Sequence, residues 1–351
     1  MVVFSIRLLY VIDRFIVKKI KDEVIIVRCL SLDFGGSSLK YGIVDQDGRL
    51  GKIERVPAPL ESREQFVELV KELYGKVKEE VDGIAISMPG YIDARTGTLS
   101  HTGMYQQLWG ICIPQLLQEL KCPVTVENDG NCGALSELWK GALEGCRDGA
   151  VIMLGSGIGG GILKEGKIHH GKSAAAGEIS YMILKPGKYG FGNSAIFDIG
   201  MIGMTYKMCL AKKLDLSVQD YRETLIAIDG MNAESPLRGG QLKRIKADGK
   251  QMFVWLEEGD PEIARIYDEF IENLAALVNN IQVVYAPEKI AIGGGLSTQE
   301  RVFADLQKEL EKFYASMGME DALKADVCAC KYLDETNLLG AAYHFMTGRE
   351  G

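Results

Sequence analysis

The chain repeats one pattern, first as Leu30-Ser-Leu-Asp-Phe-Gly-Gly36 and again as Ile152-Met-Leu-Gly-Ser-Gly157, two apolar stretches that each run into a glycine turn. A second apolar stretch follows in each copy and ends in a turn, Asp47-Gly48 in the first and Glu165-Gly166 in the second. The sequence therefore predicts a strand, a glycine turn, a second strand and a β-turn, twice over. Two such halves facing each other form a cleft, where ligands usually bind.

Both glycine turns suit the binding of phosphate. Backbone N–H groups in glycine turns form concave anion sites, and glycine lets the backbone approach a ligand closely. One turn in each half predicts a clamp that holds a polyphosphate from both sides. Asp33 lies just before the first turn, where a carboxylate suits a hydrated Mg²⁺. The alternative is that both turns connect strands and bind no ligand. The presence of a matching turn in each half disfavours this alternative.

Two other phosphate motifs match by spacing alone. Gly155-x-Gly157-x-x-Gly160 fits the dinucleotide fingerprint, which needs a helix immediately afterwards, whereas residues 162–169 are predicted to form a strand and a turn. The segment from Gly166 to Lys172-Ser173 fits the P-loop pattern, which should follow directly on a buried strand. Gly166 instead falls in a predicted hairpin turn, so both motifs are disfavoured.

The segment Glu127-Asn128-Asp129-Gly130-Asn131 lies where a short strand, residues 124–126, meets a predicted helix, residues 130–142. Catalytic side chains are often presented at strand ends, and a carboxylate there can accept a hydroxyl proton during phosphoryl transfer. Asp and Asn also favour the N-cap of a helix without any catalytic role. Spacing alone leaves both interpretations open.

A second acidic candidate lies in Gly177-Glu178-Ile-Ser-Tyr181. Glu178 could hydrogen-bond sugar hydroxyls, or it could be a solvated glutamate in the first turn of a helix. The four histidines show no metal-binding spacing, and none is assigned a role; they are His101, His169, His170 and His344.

Length and composition narrow the class of protein. The chain has 351 residues, more than one compact core usually holds, so two domains are expected. Its net charge of -8 disfavours a nucleic-acid partner. The 8 cysteines are scattered without a C-x-x-C pair, as in a cytoplasmic protein with reduced thiols. No apolar run reaches the roughly 18 residues of a membrane span, and no signal-peptide cleavage site is recognisable.

The pattern of elements predicts four parts. Residues 1–26 are an extension that is not expected to belong to the fold. Residues 27–124 form a smaller α/β domain and residues 125–335 a larger one. A single helix is expected at 108–120, and residues 196–285 are expected to be mostly helical. Residues 336–351 form a helix that returns to the first domain.

Taken together these segments resemble the ROK family (repressors, open reading frames and kinases), from about Arg28 to Gly348. The similar segments are Asp33-Phe-Gly-Gly-Ser-Ser-x-Lys40 for its first phosphate loop, Ser87-Met-Pro-Gly90 with Asp93 for V-P-G-x-V-D, Glu127 to Glu137 for its N-D-A-N-A-A-A-x-x-E helix, Leu154 to Gly161 for its second phosphate loop, and Ile292-Gly-Gly-Gly295 for its adenosine-side loop.

The resemblance implies a two-domain, actin-like, RNase-H-type ATPase fold and an ATP-dependent sugar kinase that is a homodimer. It implies that Asp129 is the base that deprotonates a hexose hydroxyl, at C6. Implied cofactors are ATP and Mg²⁺, the latter bound by Asp33 through water. The implied sugar-binding residues are Gly90, Asn128, Asp129, Glu178 and Tyr181. The implied ATP-binding residues are Gly35, Gly36, Ser37, Lys40, Gly155, Ser156, Gly157, Gly293, Gly294 and Gly295.

Two departures from the family pattern concern the sugar site and zinc. The family reads G-E-x-G-H, with a His that helps bind sugar and zinc, but this chain has Tyr181 in its place. The family's C-x-C-G-x-x-G-C signature is missing, since residues 186–197 contain no cysteine. No structural zinc is expected, as in the branch of these kinases that lacks the motif.

Two non-enzymatic alternatives come from the same resemblance. Repressors of the family carry a winged helix-turn-helix ahead of the first phosphate loop, and the 32 residues before Asp33 are too few for one. A sugar-binding protein without catalysis is disfavoured by the presence of Asp129 and both glycine loops. The sequence leaves the sugar open among glucose, N-acetylmannosamine, β-glucosides and other hexoses.

Overall fold

The computed structural model describes residues 27–36, 38–101, 104–155, 157–185, 194–212, 249–318 and 323–348. The extension 1–26 lies outside these ranges, so its exclusion from the fold stays a prediction. Ser37 and Ser156, both predicted to bind ATP, also lie outside them.

Twelve strands lie in the described ranges. They are β1 (Arg28–Phe34), β2 (Ser38–Asp45), β3 (Glu54–Pro57), β4 (Ile84–Met88), β5 (Tyr91–Asp93), β6 (Thr98–His101), β7 (Val124–Asn128), β8 (Gly149–Leu154), β9 (Ile158–Lys164), β10 (Lys167–Ile168), β11 (Lys289–Gly293) and β12 (Val327–Ala329).

Some helices of the same ranges begin at a residue whose side chain caps them. The Ser62 hydroxyl accepts the N–H of Gln65 at 3.1 Å and starts the first, and Asp260 followed by Pro261 starts the longest. The helices are α1 (Arg63–Val77), α2 (Ile113–Leu116), α3 (Asp129–Lys140), α4 (Ala195–Asp198), α5 (Met201–Ala211), α6 (Gly249–Glu257), α7 (Pro261–Tyr285), α8 (Glu300–Met317) and α9 (Thr336–Thr347). None has the length and apolar character that a bilayer crossing needs.

The predicted repeat is present as two five-stranded sheets of the same topology. The first has the order β3-β2-β1-β4-β7 and the second β10-β9-β8-β11-β12. In each, three antiparallel strands in sequence are followed by two parallel strands on the far side of the first. The same local pattern of strands and turns has therefore produced the same sheet twice.

Strand register brings the predicted phosphate and base segments to one edge of the first sheet. Asp33 pairs with Lys40 across the β1–β2 turn and with Ser87 on β4. Met88 in turn pairs with Asn128 on β7. Because β1, β4 and β7 run parallel, their carboxyl ends meet at that edge.

Each sheet has its own large cluster of buried apolar side chains. Phe66 of α1 packs with Ile84 of β4 in the first, and Phe270 of α7 packs with Ile152 of β8 in the second. The last helix, α9, packs against the first sheet through Phe345. α9 also crosses α3 so closely that a side chain at Gly340 would overlap the Cys132 carbonyl.

The single helix expected at 108–120 is wrong. The chain forms a 3-10 turn at Gln106–Leu108, the short α2, and a second 3-10 turn at Gln118–Leu120. Gly110 between the first two has a φ of 72°, outside helical geometry. Pro114 lies at the start of α2, and a proline is tolerated only in the first turn of a helix. Between 196 and 285 the described residues are largely helical, with 213–248 outside them.

Candidate active site

Asp129 is the first residue of α3 and directly follows β7. The N-cap is Asn128, whose Oδ1 accepts the Asn131 N–H at 3.0 Å while its Nδ2 donates to the Gly90 carbonyl at 2.9 Å. Asp129 accepts the N–H of Gly130 at 2.9 Å. The segment therefore does cap the helix, but through Asn128; Asp129 is the first helical residue, and its role as a base stays a prediction.

The surroundings of Asp129 favour its protonated form more than water does. Burial, reinforced by the negative charge of Asp33, raises the pKa of Asp129 to about 6, against hydrogen bonds that lower it. Burial and the charge of Asp129 likewise raise the pKa of Glu178 to about 7. A carboxylate with a pKa near the working pH suits a general base.

Asp33 ends β1 and is only 5% exposed. Its Oδ1 accepts from the Ser87 hydroxyl and the Asn337 amide, both at 3.1 Å. Its Oδ2 lies 3.5 Å from the Lys40 ammonium. The single carboxylate fits Mg²⁺, which is commonly held by one or two carboxylates together with waters and substrate phosphates.

The first glycine turn is tightly built. The Gly35 N–H donates to the Ser38 carbonyl at 3.1 Å, and the Gly35 carbonyl accepts from the Tyr105 hydroxyl at 2.8 Å. A Cβ on Gly36 would come within 2.5 Å of the Met104 sulfur. The only close neighbour among the described residues is thus the flexible end of the exposed Met104 side chain.

The second and third glycine loops adjoin each other in the second sheet. The Gly155 N–H donates to the Gly157 carbonyl at 3.1 Å. Gly294 has a φ of +90°, and a side chain there would overlap the Leu154 carbonyl. The structure thus brings Gly155 and Gly157 next to Gly293, Gly294 and Gly295, while Gly35 and Gly36 lie at the first sheet.

The glycines that follow the second loop serve packing. A side chain on Gly130 of α3 would overlap the Gly160 carbonyl of β9, and a Cβ on Gly161 would come within 2.7 Å of the Ala134 Cβ. α3 therefore rests backbone to backbone on β9. This contact ties the segment that carries Asp129 to the second sheet.

Glu178 directly precedes a 3-10 turn, Ile179–Tyr181, whose last residue is Tyr181, so Glu178 is not in the first turn of an α-helix. The Tyr181 ring is 44% exposed and stacks on Tyr91, with ring centroids 6.1 Å apart and an interplanar angle of 24°. The two hydroxyls also form a hydrogen bond with each other. The stack joins the strand that follows Gly90 to the segment of Glu178.

Both competing phosphate motifs are excluded by what surrounds them. The strand β9, and not a helix, follows Gly155 to Gly160, which the dinucleotide fingerprint does not allow. Gly166 lies in the β9–β10 hairpin turn with a φ of +73° and donates to the Arg147 carbonyl at 2.7 Å. Lys172 of the P-loop pattern is exposed on the loop beyond β10.

Sequence reasoning missed one pair of residues beside the base. Glu127 is fully buried, and its Oε2 lies 2.7 Å from the His170 Nε2. A buried carboxylate needs a partner. The position of Glu127 at the end of a predicted strand is the signal from which its burial, and so its need for a partner, could have been inferred. Its partner lies 43 residues further along the chain, which no local pattern reveals.

In the described part of the chain, no group of three or more His, Cys, Asp or Glu side chains is arranged to hold a metal. The stretch whose missing cysteines predict the loss of the structural zinc includes 186–193, which lies outside the described residues. The lack of zinc therefore stays a prediction from sequence.

The duplicated sheets, with a glycine turn after the first strand of each, have the architecture of the actin-like ATPase fold. The chain belongs to the ROK family, whose profile matches residues 29–347.

Individual relatives and solved structures match over most of their length. The β-glucoside kinase of Listeria innocua is 27% identical, over 91% of this chain and 98% of the relative. A ROK family glucokinase of Streptomyces griseus, solved with glucose and AMPPNP, has a TM-score of 0.71 and 23% identity, over 93% of this chain and 100% of that one. A ROK family transcriptional regulator, a homologue of the E. coli MLC protein, has a TM-score of 0.70 and 17% identity, over 92% of this chain and 81% of that one.

Proposed function

We propose that this chain is a sugar kinase that transfers the γ-phosphoryl group of ATP to the 6-hydroxyl of a hexose or hexose derivative. The observation that carries the proposal is Asp129, a half-buried carboxylate freed from capping by Asn128 and raised in pKa to about 6. Membership of the ROK family and the kinase activity named for the β-glucoside kinase relative support it.

In the proposed reaction Asp129 accepts the proton of the sugar hydroxyl as its oxygen attacks the γ-phosphorus. The new O–P bond forms while the bond from the γ-phosphorus to the β,γ-bridging oxygen breaks, leaving ADP. Lys40 and a Mg²⁺ held by Asp33 through water would neutralise charge on the phosphates. The glycine turns at Gly35 and Gly155 would supply backbone N–H groups to the same phosphates.

The sugar is proposed to bind against Asn128, Glu178 and Tyr181. Asn128 is held in place by its amide bond to the Gly90 carbonyl, 2.9 Å away. Glu178, with a pKa of about 7, can accept or donate hydrogen bonds to sugar hydroxyls. Positioning of the hydroxyl next to Asp129 is the main task of such a site.

The test is a panel of sugars in a coupled assay of ADP release, with glucose, N-acetylmannosamine and a β-glucoside among them. A hexose acceptor is supported by the β-glucoside kinase relative. We expect at least one sugar to release ADP with a 6-phosphate as the product, identified by NMR. The proposal fails if no sugar raises ADP release above that of Asp129→Asn.

A sugar-responsive regulator is the alternative, because one structural neighbour is a transcriptional regulator. The net charge of -8 disfavours it, since DNA binding needs a basic surface. Sequence-specific DNA binding by the purified chain would favour the alternative.

The homodimer, the cytoplasmic location and the domain limits 27–124, 125–335 and 336–351 are part of our proposal.

Removal of the Tyr181 ring should weaken sugar binding. Tyr181→Ala removes the stack on Tyr91, so we expect the sugar KM to rise about five- to tenfold, as for the loss of one aromatic pair. The ATP KM should stay unchanged. Steady-state kinetics with either substrate varied checks this. Tyr181→Phe is the matched control, because it keeps the ring; equal sugar KM values for the native protein and Tyr181→Ala would contradict the assignment.

A further inference from the structure

Glu127, two residues before the proposed base, is a fully buried carboxylate with every oxygen occupied. Its Oε1 accepts the backbone N–H of Asn128 at 2.7 Å and the Asn131 Nδ2 at 3.0 Å. Its Oε2 lies 2.7 Å from His170 Nε2. The first two bonds hold the turn between β7 and α3 on which Asp129 is carried.

His170 comes from the other side of the site. It follows β10 and opens the loop that leads to Glu178. Its own carbonyl accepts the N–H of Ala176 at 3.3 Å, which closes that loop just ahead of Gly177. One residue therefore contacts the base segment with its side chain and shapes the Glu178 segment with its backbone.

We infer that His170 is a positioning residue for the phosphoryl transfer proposed above, acting through Glu127 to fix Asn128 and Asp129 while its loop places Glu178. The inference rests on the proposed function. It differs from a purely structural contact because the two segments it joins carry the proposed base and the proposed sugar carboxylate.

The charges around the pair favour an ionised bond. The hydrogen bond to Glu127 raises the pKa of His170, and Asp93 adds to this while burial and Arg95 oppose it. Burial acts to raise the pKa of Glu127, but the bond from His170, aided by the nearby His344 and by Asn131, holds it below its usual value. A neutral His170 with a proton on Nε2 would still donate to Glu127, so the contact survives a rise in pH.

The consequence for catalysis runs through Asn128. Its side chain donates to Asp129 and is one of the groups that lower the pKa of the base. If Glu127 loses its partner, the turn that holds Asn128 relaxes and this bond weakens. The pKa of Asp129 should then rise, and activity should be lost at a higher pH than in the native protein.

The experiment compares His170→Ala with His170→Gln and with His169→Ala. The Gln amide reaches the position of the His Nε2, whereas His169 is exposed and offers a matched control one residue away. We expect His170→Ala to lower kcat about a hundredfold, as for a catalytic group misplaced by about an ångström. His170→Gln should regain at least about tenfold of that loss, and His169→Ala should stay within about twofold of the native kcat.

The pH profile separates positioning from mere stability. In His170→Ala the acid limb of kcat should move to higher pH, whereas a loss of folded protein would lower kcat at every pH alike. If His170→Ala does not fold, as judged by thermal unfolding, His170→Asn decides, since its amide is too short to reach Glu127 and it should show the same loss.

The outcomes are separable from those of the proposed function. A native protein without ADP release on the sugar panel contradicts the kinase proposal. An active native protein whose folded His170 variants keep its kcat and its pH profile contradicts only the role of His170.

Discussion

Replacing Asp129 with Asn is expected to lower kcat by about three orders of magnitude, within the range for removal of a general base. The amide is almost the same size and still accepts the Gly130 N–H, so the fold of the turn is kept. What it lacks is the ability to take the hydroxyl proton. The dissociation constant for the sugar should change by less than about threefold, because Asn128 and Glu178 remain.

The measurement pairs steady-state ADP release with calorimetric titration of the sugar. Asp268→Asn is the matched control, since it makes the same exchange on the exposed face of α7 and should leave kcat unchanged. Turnover of Asp129→Asn at near the native rate would remove Asp129 from its assigned role. Loss of sugar binding without loss of kcat would instead assign it to recognition.

Replacing Asp33 with Asn should lower kcat by about a hundredfold or more, since it removes the charge proposed to hold Mg²⁺ beside the phosphates. A second effect runs the opposite way. The negative charge of Asp33 is the main cause, after burial, of the raised pKa of Asp129. Without that charge the pKa of Asp129 in the metal-free protein falls, so Asp129 stays deprotonated to a lower pH.

The sign of the pH effect follows from the base being active only when deprotonated. In the metal-free native protein Asp129 should take up its proton as pH falls through about 6. In metal-free Asp33→Asn the same uptake should begin at a lower pH. Steady-state kcat at saturating Mg²⁺ and ATP checks the loss of turnover, and NMR titration of Asp129 without Mg²⁺ checks the shift in its pKa, with Asp47→Asn in an exposed turn as the control for both. A variant with native kcat and an unmoved pKa of Asp129 would contradict the role of Asp33.

The duplicated fold could be read from sequence because its signals are local. Apolar stretches such as residues 30–32 and 152–154 lie beside glycine turns, and each strand pairs with its neighbour through a short connection. The order of the motifs then indicated the ROK family, and with it a cleft that Asp33, Asp129 and the glycine loops are expected to share. Each of these predicted strands, turns and motifs is encoded by a few consecutive residues.

Other features were out of reach because they depend on distant contacts or on competing signals. The apolar spacing at 108–120 favoured one helix, but Gly110 and Pro114 divide it. The pairing of Glu127 with His170 joins a strand of the first sheet to a loop that follows a strand of the second, 43 residues further along the chain. Which residue of the segment caps α3 could be told only from the geometry, which shows Asn128 as the cap, since both Asn and Asp make good caps.

The raised pKa of Asp129 also means that the deprotonated form, which the proposed base requires, lowers the free energy of unfolding. The folded chain binds this proton more tightly than the unfolded chain, whose pKa for the group is 3.8, because burial and Asp33 disfavour the charge. The stability that the group contributes is full below that value and is lost as pH rises through about 6. At pH 7.5 the charged base thus opposes folding, and Asp129→Asn should unfold at a higher temperature than the native protein in a calorimetric scan. An unfolding temperature equal to or below the native one would show that the site carries no such strain.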